Sequence, residues 1–117
     1  MPRQESGEPY QRISITEAAQ LHGSKDAEFI DVRRPDEYAD GHIKNALFIP
    51  VDDVLTRVDE LPKEKKLLFI CAMGVRSGLA CEMAAAMGIS SDRLYNIEDG
   101  TPKWIEQGHP TSYGAEL

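Results

Sequence analysis

The feature that most constrains this chain is an apolar run, residues 67–70, that ends directly in Cys71. A continuous run of this kind is typical of a central strand that is buried on both faces of a parallel sheet. A short loop with Gly74 in its middle follows, and then comes an alanine-rich segment of high helix propensity. Cys71 is therefore predicted to lie where a central strand ends and a helix begins. Open α/β sheets bind their ligands at that edge.

Strand-like and helix-like segments alternate along the rest of the chain. The further strand candidates are residues 11–15, 28–33, 46–49 and 93–97. Between them lie helix candidates, including an amphipathic helix over residues 51–61 in which apolar side chains recur at helical spacing. This alternation predicts βαβ units, and hence an α/β fold with a mainly parallel sheet.

The length and charge of the chain limit its organisation and its partners. A chain of 117 residues fits one domain, which we expect over residues 10–117, after a flexible N-terminal tail over residues 1–9. A net charge of -7 disfavours nucleic acid and anionic membranes as partners. No apolar run approaches the roughly 20 residues of a membrane span, and the N-terminus lacks the apolar core of a signal peptide. A cytoplasmic location is expected.

The two cysteines, Cys71 and Cys81, have different settings. They are too few for a disulfide framework and lack the spacing of zinc ligands, so no metal and no organic cofactor is predicted. Cys81 lies in the helical segment and is expected to be a small buried apolar residue. Around Cys71, the helix N-terminus, the loop amides and Arg76 would lower the pKa of the thiol. The alternative is an inert cysteine that merely ends a buried strand.

Residues 71–77, Cys-Ala-Met-Gly-Val-Arg-Ser, resemble the active-site loop of rhodanese-like sulfurtransferases, which follows the pattern Cys-x-x-Gly-x-Arg. The resemblance spans about residues 11–110 and includes Ile30-Asp31-Val32-Arg33, Glu37-Tyr38, Gly41-His42-Ile43, Gly100, Trp104 and Gly108-His109-Pro110. It implies a three-layer α/β/α domain with a five-stranded, mainly parallel central sheet. The active loop of this family lies at the carboxyl edge of that sheet.

The resemblance also implies the chemistry. Cys71 would take a sulfane sulfur from thiosulfate or a persulfide, and a cyanide or thiol acceptor would then remove it. A persulfide-bearing protein could serve as donor. The substrate-binding residues would be those of the loop, namely Ala72, Met73, Gly74, Val75, Arg76 and Ser77. Asp31 and Arg33 are candidate supporting residues at the same sheet edge, with a structural ion pair as the alternative.

Two other functions stay open beside the sulfurtransferase. One is a non-enzymatic rhodanese-like module that carries sulfur or binds a partner protein. The other is a cysteine-dependent phosphatase, which is disfavoured because related phosphatases have five residues between cysteine and arginine. Only four separate Cys71 from Arg76.

The residues around the loop predict weak activity with thiosulfate. Members of the family that use thiosulfate often carry a second cation in the loop, where this chain has Ala72 and Met73. Glu98 and Asp99 precede Gly100, and if this turn borders the mouth of the site, as it does in relatives, the two carboxylates would repel an anionic donor. The alternative is that both are ordinary solvated turn residues. The expected donor is therefore a thiol-borne or protein-borne persulfide.

Overall fold

The computed structural model describes residues 2–117, and Met1 lies outside the described residues. The strands are β1 (Gln11–Ile13), β2 (Ala27–Asp31), β3 (His42–Ile43), β4 (Leu47–Phe48), β5 (Lys66–Ile70), β6 (Leu94–Ile97) and β7 (Thr111–Ser112). The α-helices are α1 (Ile15–Ala19), α2 (Pro35–Asp40), α3 (Val75–Ala86) and α4 (Thr101–Glu106). Within residues 2–117, no helix has the length and apolar character needed to cross a membrane.

Five strands form the central sheet in the order β1-β6-β5-β2-β4, and every neighbouring pair in it is parallel. The predicted central strand, β5, lies in the middle, where Leu68 is paired with Phe29 on one side and with Tyr95 on the other. The α/β class and the five-stranded sheet are thereby confirmed. β3 and β7 form a separate antiparallel pair.

The apolar run of β5 contributes to two cores, one on each face of the sheet. Leu67 and Phe69 belong to the core that includes the buried face of α3, whereas Leu68 and Ile70 belong to the core that contains Trp104. The four apolar side chains of β5 are fully buried, and only Lys66 at its start is exposed. Successive side chains of a strand point to opposite faces. A strand covered on both sides must therefore be apolar at every position, and this is the pattern from which β5 was predicted.

Residues 51–61 differ from the predicted amphipathic α-helix. They contain two short 3-10 helices, Val51–Asp53 and Val58–Glu60, separated by turns. Val54 and Leu61 are buried in the core beneath α3, so the apolar face itself was predicted correctly. The prediction of a continuous helix is wrong because apolar residues three positions apart fit a 3-10 turn as well as an α-helix.

The N-terminal segment, predicted as a flexible tail, makes specific contacts where it is described. The backbone of Arg3 pairs with that of Arg12 in an isolated antiparallel bridge. Arg12 in turn donates to both carboxylate oxygens of Glu8. The bridge covers part of the open edge of β1, where unpaired backbone groups would otherwise face solvent. Proline and glycine content alone did not reveal these pairings.

Gly100 brings the start of α4 into close contact with the end of β5. Its φ of +81° lies in the left-handed region that favours glycine, and an added Cβ atom would lie 2.0 Å from the carbonyl oxygen of Ala72. The next residue, Thr101, donates its amide hydrogen to the carbonyl oxygen of Cys71 at 2.8 Å. Because both contacts are to backbone atoms, the position of the loop after β5 depends on the absence of a side chain at Gly100.

We expect Gly100→Ala to lower the free energy of unfolding by more than about 3 kcal/mol, since the new methyl group collides with backbone that cannot move without displacing the loop. Gly108→Ala is the matched control, because its φ is +76° but nothing lies within 4 Å of the added Cβ. Backbone strain alone should cost this control about 1–2 kcal/mol. Urea denaturation measures both variants, and equal losses would contradict the close-contact explanation.

Candidate active site

The predicted loop residues lie together at the carboxyl edge of the central sheet. Cys71 follows β5 directly, Gly74 is the N-cap of α3, and Arg76 and Ser77 belong to the first turn of that helix. Gly74 has a left-handed conformation, and a Cβ atom there would lie 2.8 Å from the carbonyl oxygen of Glu98. A glycine is required so that the chain can turn from strand to helix this close to its neighbour.

The Cys71 thiol is surrounded by hydrogen-bond donors. The amide of Gly74 donates to Sγ at 3.0 Å, and the hydroxyl oxygen of Ser77 lies 3.3 Å from Sγ. Burial by itself would raise the pKa of the Cys71 thiol, but hydrogen bonds from the Ser77 hydroxyl and from the amides of Ser77, Met73 and Gly74 hold that pKa below its ordinary value. The geometry therefore favours the thiolate, which is the nucleophilic form of cysteine.

Asn96 on β6, which the sequence patterns did not indicate, holds the loop in place. Its Nδ2 donates to the carbonyl oxygen of Gly74 at 3.1 Å, and its Oδ1 lies 2.5 Å from the Ser77 hydroxyl oxygen. The single Ser77 hydrogen is donated to Oδ1 when Cys71 is a thiol, which then donates to Ser77, and it turns to Sγ when Cys71 is a thiolate. Asn96 is paired with Phe69 across the sheet, so it stands just before the end of the neighbouring strand. A polar residue within an otherwise apolar strand beside β5 was the available signal in the sequence.

Arg76 was predicted to bring a positive charge to the thiolate, and in the structure that charge is paired with Glu37. Nη1 and Nη2 of Arg76 donate to Oε1 and Oε2 of Glu37 at 2.6 and 2.9 Å. The hydrogen bond from Arg76, despite partial burial, lowers the pKa of Glu37 to about 2. The pair is therefore ionised at neutral pH and joins α2 to the first turn of α3.

Asp31 and Arg33, the two candidate supporting residues, form a buried ion pair with each other. Nη2 of Arg33 lies 2.8 Å from Oδ2 of Asp31 and also donates to the carbonyl oxygen of Gly41 at 2.7 Å. The amide of Arg33 donates to the same carboxylate. These contacts match the structural ion pair that the sequence left open as the alternative to a substrate contact.

Glu98 borders the loop, but Glu98 and Asp99 do not form a pair of free carboxylates there. Glu98 lines a groove of about 610 Å³ beside the loop, but its carboxylate is paired with Arg3 at 2.8 Å and with Arg12 at 3.3 Å. Asp99 accepts the amide hydrogen of Ile15 at the start of α1. Arginines therefore neutralise one of the two carboxylates, whereas the other keeps its charge and accepts a backbone amide hydrogen.

The outer surface of the loop is apolar. The side chains of Met73 and Val75 are 79% and 76% exposed, and Leu79 on α3 adds a third exposed apolar group. Cys71 itself is buried beneath this surface, with only 1% of its area exposed. The most exposed side chains of the loop are therefore uncharged.

Cys81 lies on the buried face of α3 and is a free thiol, like Cys71. It packs in the core between α3 and the sheet. Complete burial raises the pKa of the Cys81 thiol well above its ordinary value. The prediction of a small, buried, apolar cysteine at this position is confirmed.

Comparisons with family models, with curated proteins and with solved structures agree on one family. The model of the rhodanese-like domain matches residues 14–107. A sulfurtransferase of Allochromatium vinosum is 32% identical over 90 residues, which cover 77% of this chain and 82% of that protein. The thiosulfate sulfurtransferase GlpE of Coxiella burnetii is 31% identical over 103 residues, covering 88% and 94%. The crystal structure of a rhodanese-related protein from Thermoplasma volcanium matches with a TM-score of 0.77 at 31% identity, covering 88% of this chain and 98% of that one.

We expect Ser77→Ala to slow the alkylation of Cys71 by iodoacetamide at neutral pH about fivefold, because one hydrogen bond contributes about 1 kcal/mol. The variant should also raise the pKa of the Cys71 thiol, which the pH dependence of the alkylation rate measures. Ser90→Ala, at an exposed serine, is the control and should leave the rate unchanged. An unaltered pH profile in Ser77→Ala would show that the hydroxyl does not stabilise the thiolate.

The Glu37–Arg76 pair predicts a pH dependence of stability. The pKa of Glu37 falls from an ordinary value of 4.5 to about 2 on folding, so the unfolded chain binds more protons between these values. The stabilisation by the pair should therefore be fully present above about pH 4.5 and disappear as the pH falls toward 2.

Urea denaturation of the wild type and Glu37→Gln measures this effect. We expect a difference in unfolding free energy of about 1–2 kcal/mol at pH 7 that becomes smaller at pH 3. Asp36→Asn, a neighbouring carboxylate whose side chain is 73% exposed, is the matched control. A difference that stays constant between pH 7 and pH 3 would exclude the ion pair as its source.

Proposed function

The chain belongs to the rhodanese-like domain family, and on that premise we propose that it is a sulfurtransferase that works through a persulfide on Cys71. The observation that carries the proposal is the setting of this thiol. It stands at the end of the central strand, accepts the amide hydrogen of Gly74 and lies beside the Ser77 hydroxyl, and its pKa is lowered by these contacts. Such a thiolate is a nucleophile at neutral pH.

The reaction has two half-reactions that balance without an oxidant. In the first, the Cys71 thiolate attacks the outer sulfur of the donor. The new bond joins that sulfur to Sγ while the sulfur–sulfur bond of the donor breaks, and the remaining donor fragment leaves with the electron pair. In the second, an acceptor such as cyanide or a thiolate attacks the outer sulfur of the persulfide, and Cys71 leaves as the thiolate.

The loop has a defined role in each half-reaction. Its amides and the Ser77 hydroxyl stabilise negative charge on Sγ before attack and after release, as the donors of an oxyanion hole do. The same amides, from residues 72–77, are the proposed binding site of the transferred sulfur. A cytoplasmic location, which the proposal includes, would keep Cys71 and Cys81 as free thiols.

Two alternative functions predict different results in assays of sulfur transfer and phosphate hydrolysis. A passive sulfur carrier would accept sulfur on Cys71 but would not turn over with an acceptor. A cysteine-dependent phosphatase would hydrolyse a phosphate monoester and would not need a sulfur donor. The four-residue spacing between Cys71 and Arg76 favours sulfur over the larger phosphoryl group.

We expect the intact protein to gain the mass of one sulfur atom when it is incubated with a persulfide donor, because the Cys71 thiolate captures the sulfane sulfur. Mass spectrometry of the intact chain measures this gain, and addition of cyanide should reverse it with formation of thiocyanate. Cys71→Ser should not gain the mass, whereas Cys81→Ser is the matched control and should behave as the wild type. Gain of sulfur by Cys71→Ser, or none by the wild type, would overturn the proposal.

A further inference from the structure

We infer that Glu37 is a positioning residue that sets the donor specificity of the site. By holding and neutralising the guanidinium of Arg76, it favours a persulfide that releases a thiolate over thiosulfate, which releases the doubly charged sulfite. The inference rests on the proposed sulfurtransferase function and deepens it by naming the donor class and the residue that selects it. No contact between Glu37 and the substrate is required.

The contact between Glu37 and Arg76 occupies both ends of the guanidinium group. Each terminal nitrogen of Arg76 faces one carboxylate oxygen of Glu37, at 2.6 and 2.9 Å. A bidentate pair of this geometry is the strongest form of arginine–carboxylate contact. Arg76 is the cation of the loop itself, so the charge that a dianionic donor would need is already balanced by a residue of α2.

Contacts within and around α2 hold Glu37 in place. Its Oε1 accepts the amide hydrogen of Arg34, which closes the N-terminus of α2. The next residue, Tyr38, is buried and stacks on the rings of His42 and Phe48 at centroid distances of 3.6 and 4.4 Å. Glu37 is therefore held against Arg76 by an anchored helix, and its charge stays beside the guanidinium when a donor binds.

The other arginines at this edge of the sheet are paired in the same way. Arg33 is bound to Asp31 within the protein interior, at 2.8 Å. On the opposite side of the loop, Arg12 is shared between Glu8 and Glu98. Each of these arginines is balanced by at least one carboxylate. The exposed Arg34, which lies 3.8 Å from Glu37, is also 3.5 Å from its own partner Asp36.

Donor chemistry decides which substrate suits such a site. Attack on thiosulfate adds a second negative charge to a sulfonate group that already carries one, and stabilising the departing sulfite dianion requires an unbalanced cation. Attack on a small persulfide develops one charge on a departing thiolate, whose carbon substituent can pack against the exposed side chains of Met73 and Val75. The loop amides stabilise the charge on the transferred sulfur in both reactions.

The test compares sulfur transfer to cyanide from thiosulfate and from mercaptoethanol persulfide generated in situ. We expect wild-type kcat/KM to be higher for the persulfide. Glu37→Gln keeps the shape of the side chain and removes its charge, and should raise kcat/KM for thiosulfate about tenfold while changing the persulfide value less than threefold. The ratio of the two values is the readout, because a general loss of structure would lower both.

Two further variants control for the mechanism. Asp40→Asn removes the same charge from an exposed residue at the other end of α2 and should leave the donor ratio unchanged. In the double variant Glu37→Gln with Arg76→Gln, the gain with thiosulfate should disappear, because it acts through Arg76.

The outcomes separate the inference from the proposed function. Sulfur transfer by the wild type from neither donor would remove the proposed function. Transfer from the persulfide with an unchanged donor ratio in Glu37→Gln, or equal wild-type use of both donors, would overturn the role of Glu37 alone. A loss of thiosulfate activity in Glu37→Gln would show that the carboxylate orients Arg76 toward the donor, which also contradicts the inference.

Discussion

The site depends on one constraint, the burial of β5 on both faces of the sheet. This burial fixes the strand in the centre and brings its last backbone groups to the carboxyl edge. Because the neighbouring strands run parallel in register, Asp31 ends beside Ile70 on one side and Asn96 lies beside Phe69 on the other. Asn96, which holds the loop after Cys71, is thus brought to this edge by the same strand pairing that forms the core.

Sequence patterns correctly predicted those elements whose structure depends mainly on their own residues. The apolar run of β5 and the strand–loop–helix sequence after it could be recognised because burial on two faces requires apolar side chains at every position. For residues 51–61, the sequence predicted which side chains face the core but not the geometry of the backbone. Its apolar spacing is compatible with two kinds of helix, and tertiary packing decides between them.

Pairings between distant segments were the parts that the sequence could not reveal. Glu37 and Arg76 are 39 positions apart, and only the arrangement of α2 beside the loop shows that they meet. The same holds for Glu98, whose partner Arg3 is 95 positions away, and for Asp99, which binds the start of α1. The charged residues near the loop therefore do not reveal its net charge by themselves, because each of them binds a partner in a distant segment of the chain.

The burial of Cys81 has a consequence for the time course of the reaction. Many redox proteins place a second thiol beside the first, which removes an oxidised or persulfidated state within the same molecule. Here the second thiol is enclosed in the core and its pKa is raised, so it stays protonated and is a poor nucleophile. A sulfur atom held on Cys71 would then leave only by collision with an external acceptor. Its lifetime would be set by the concentration of that acceptor, and the protein would serve as a temporary store of reactive sulfur between two encounters.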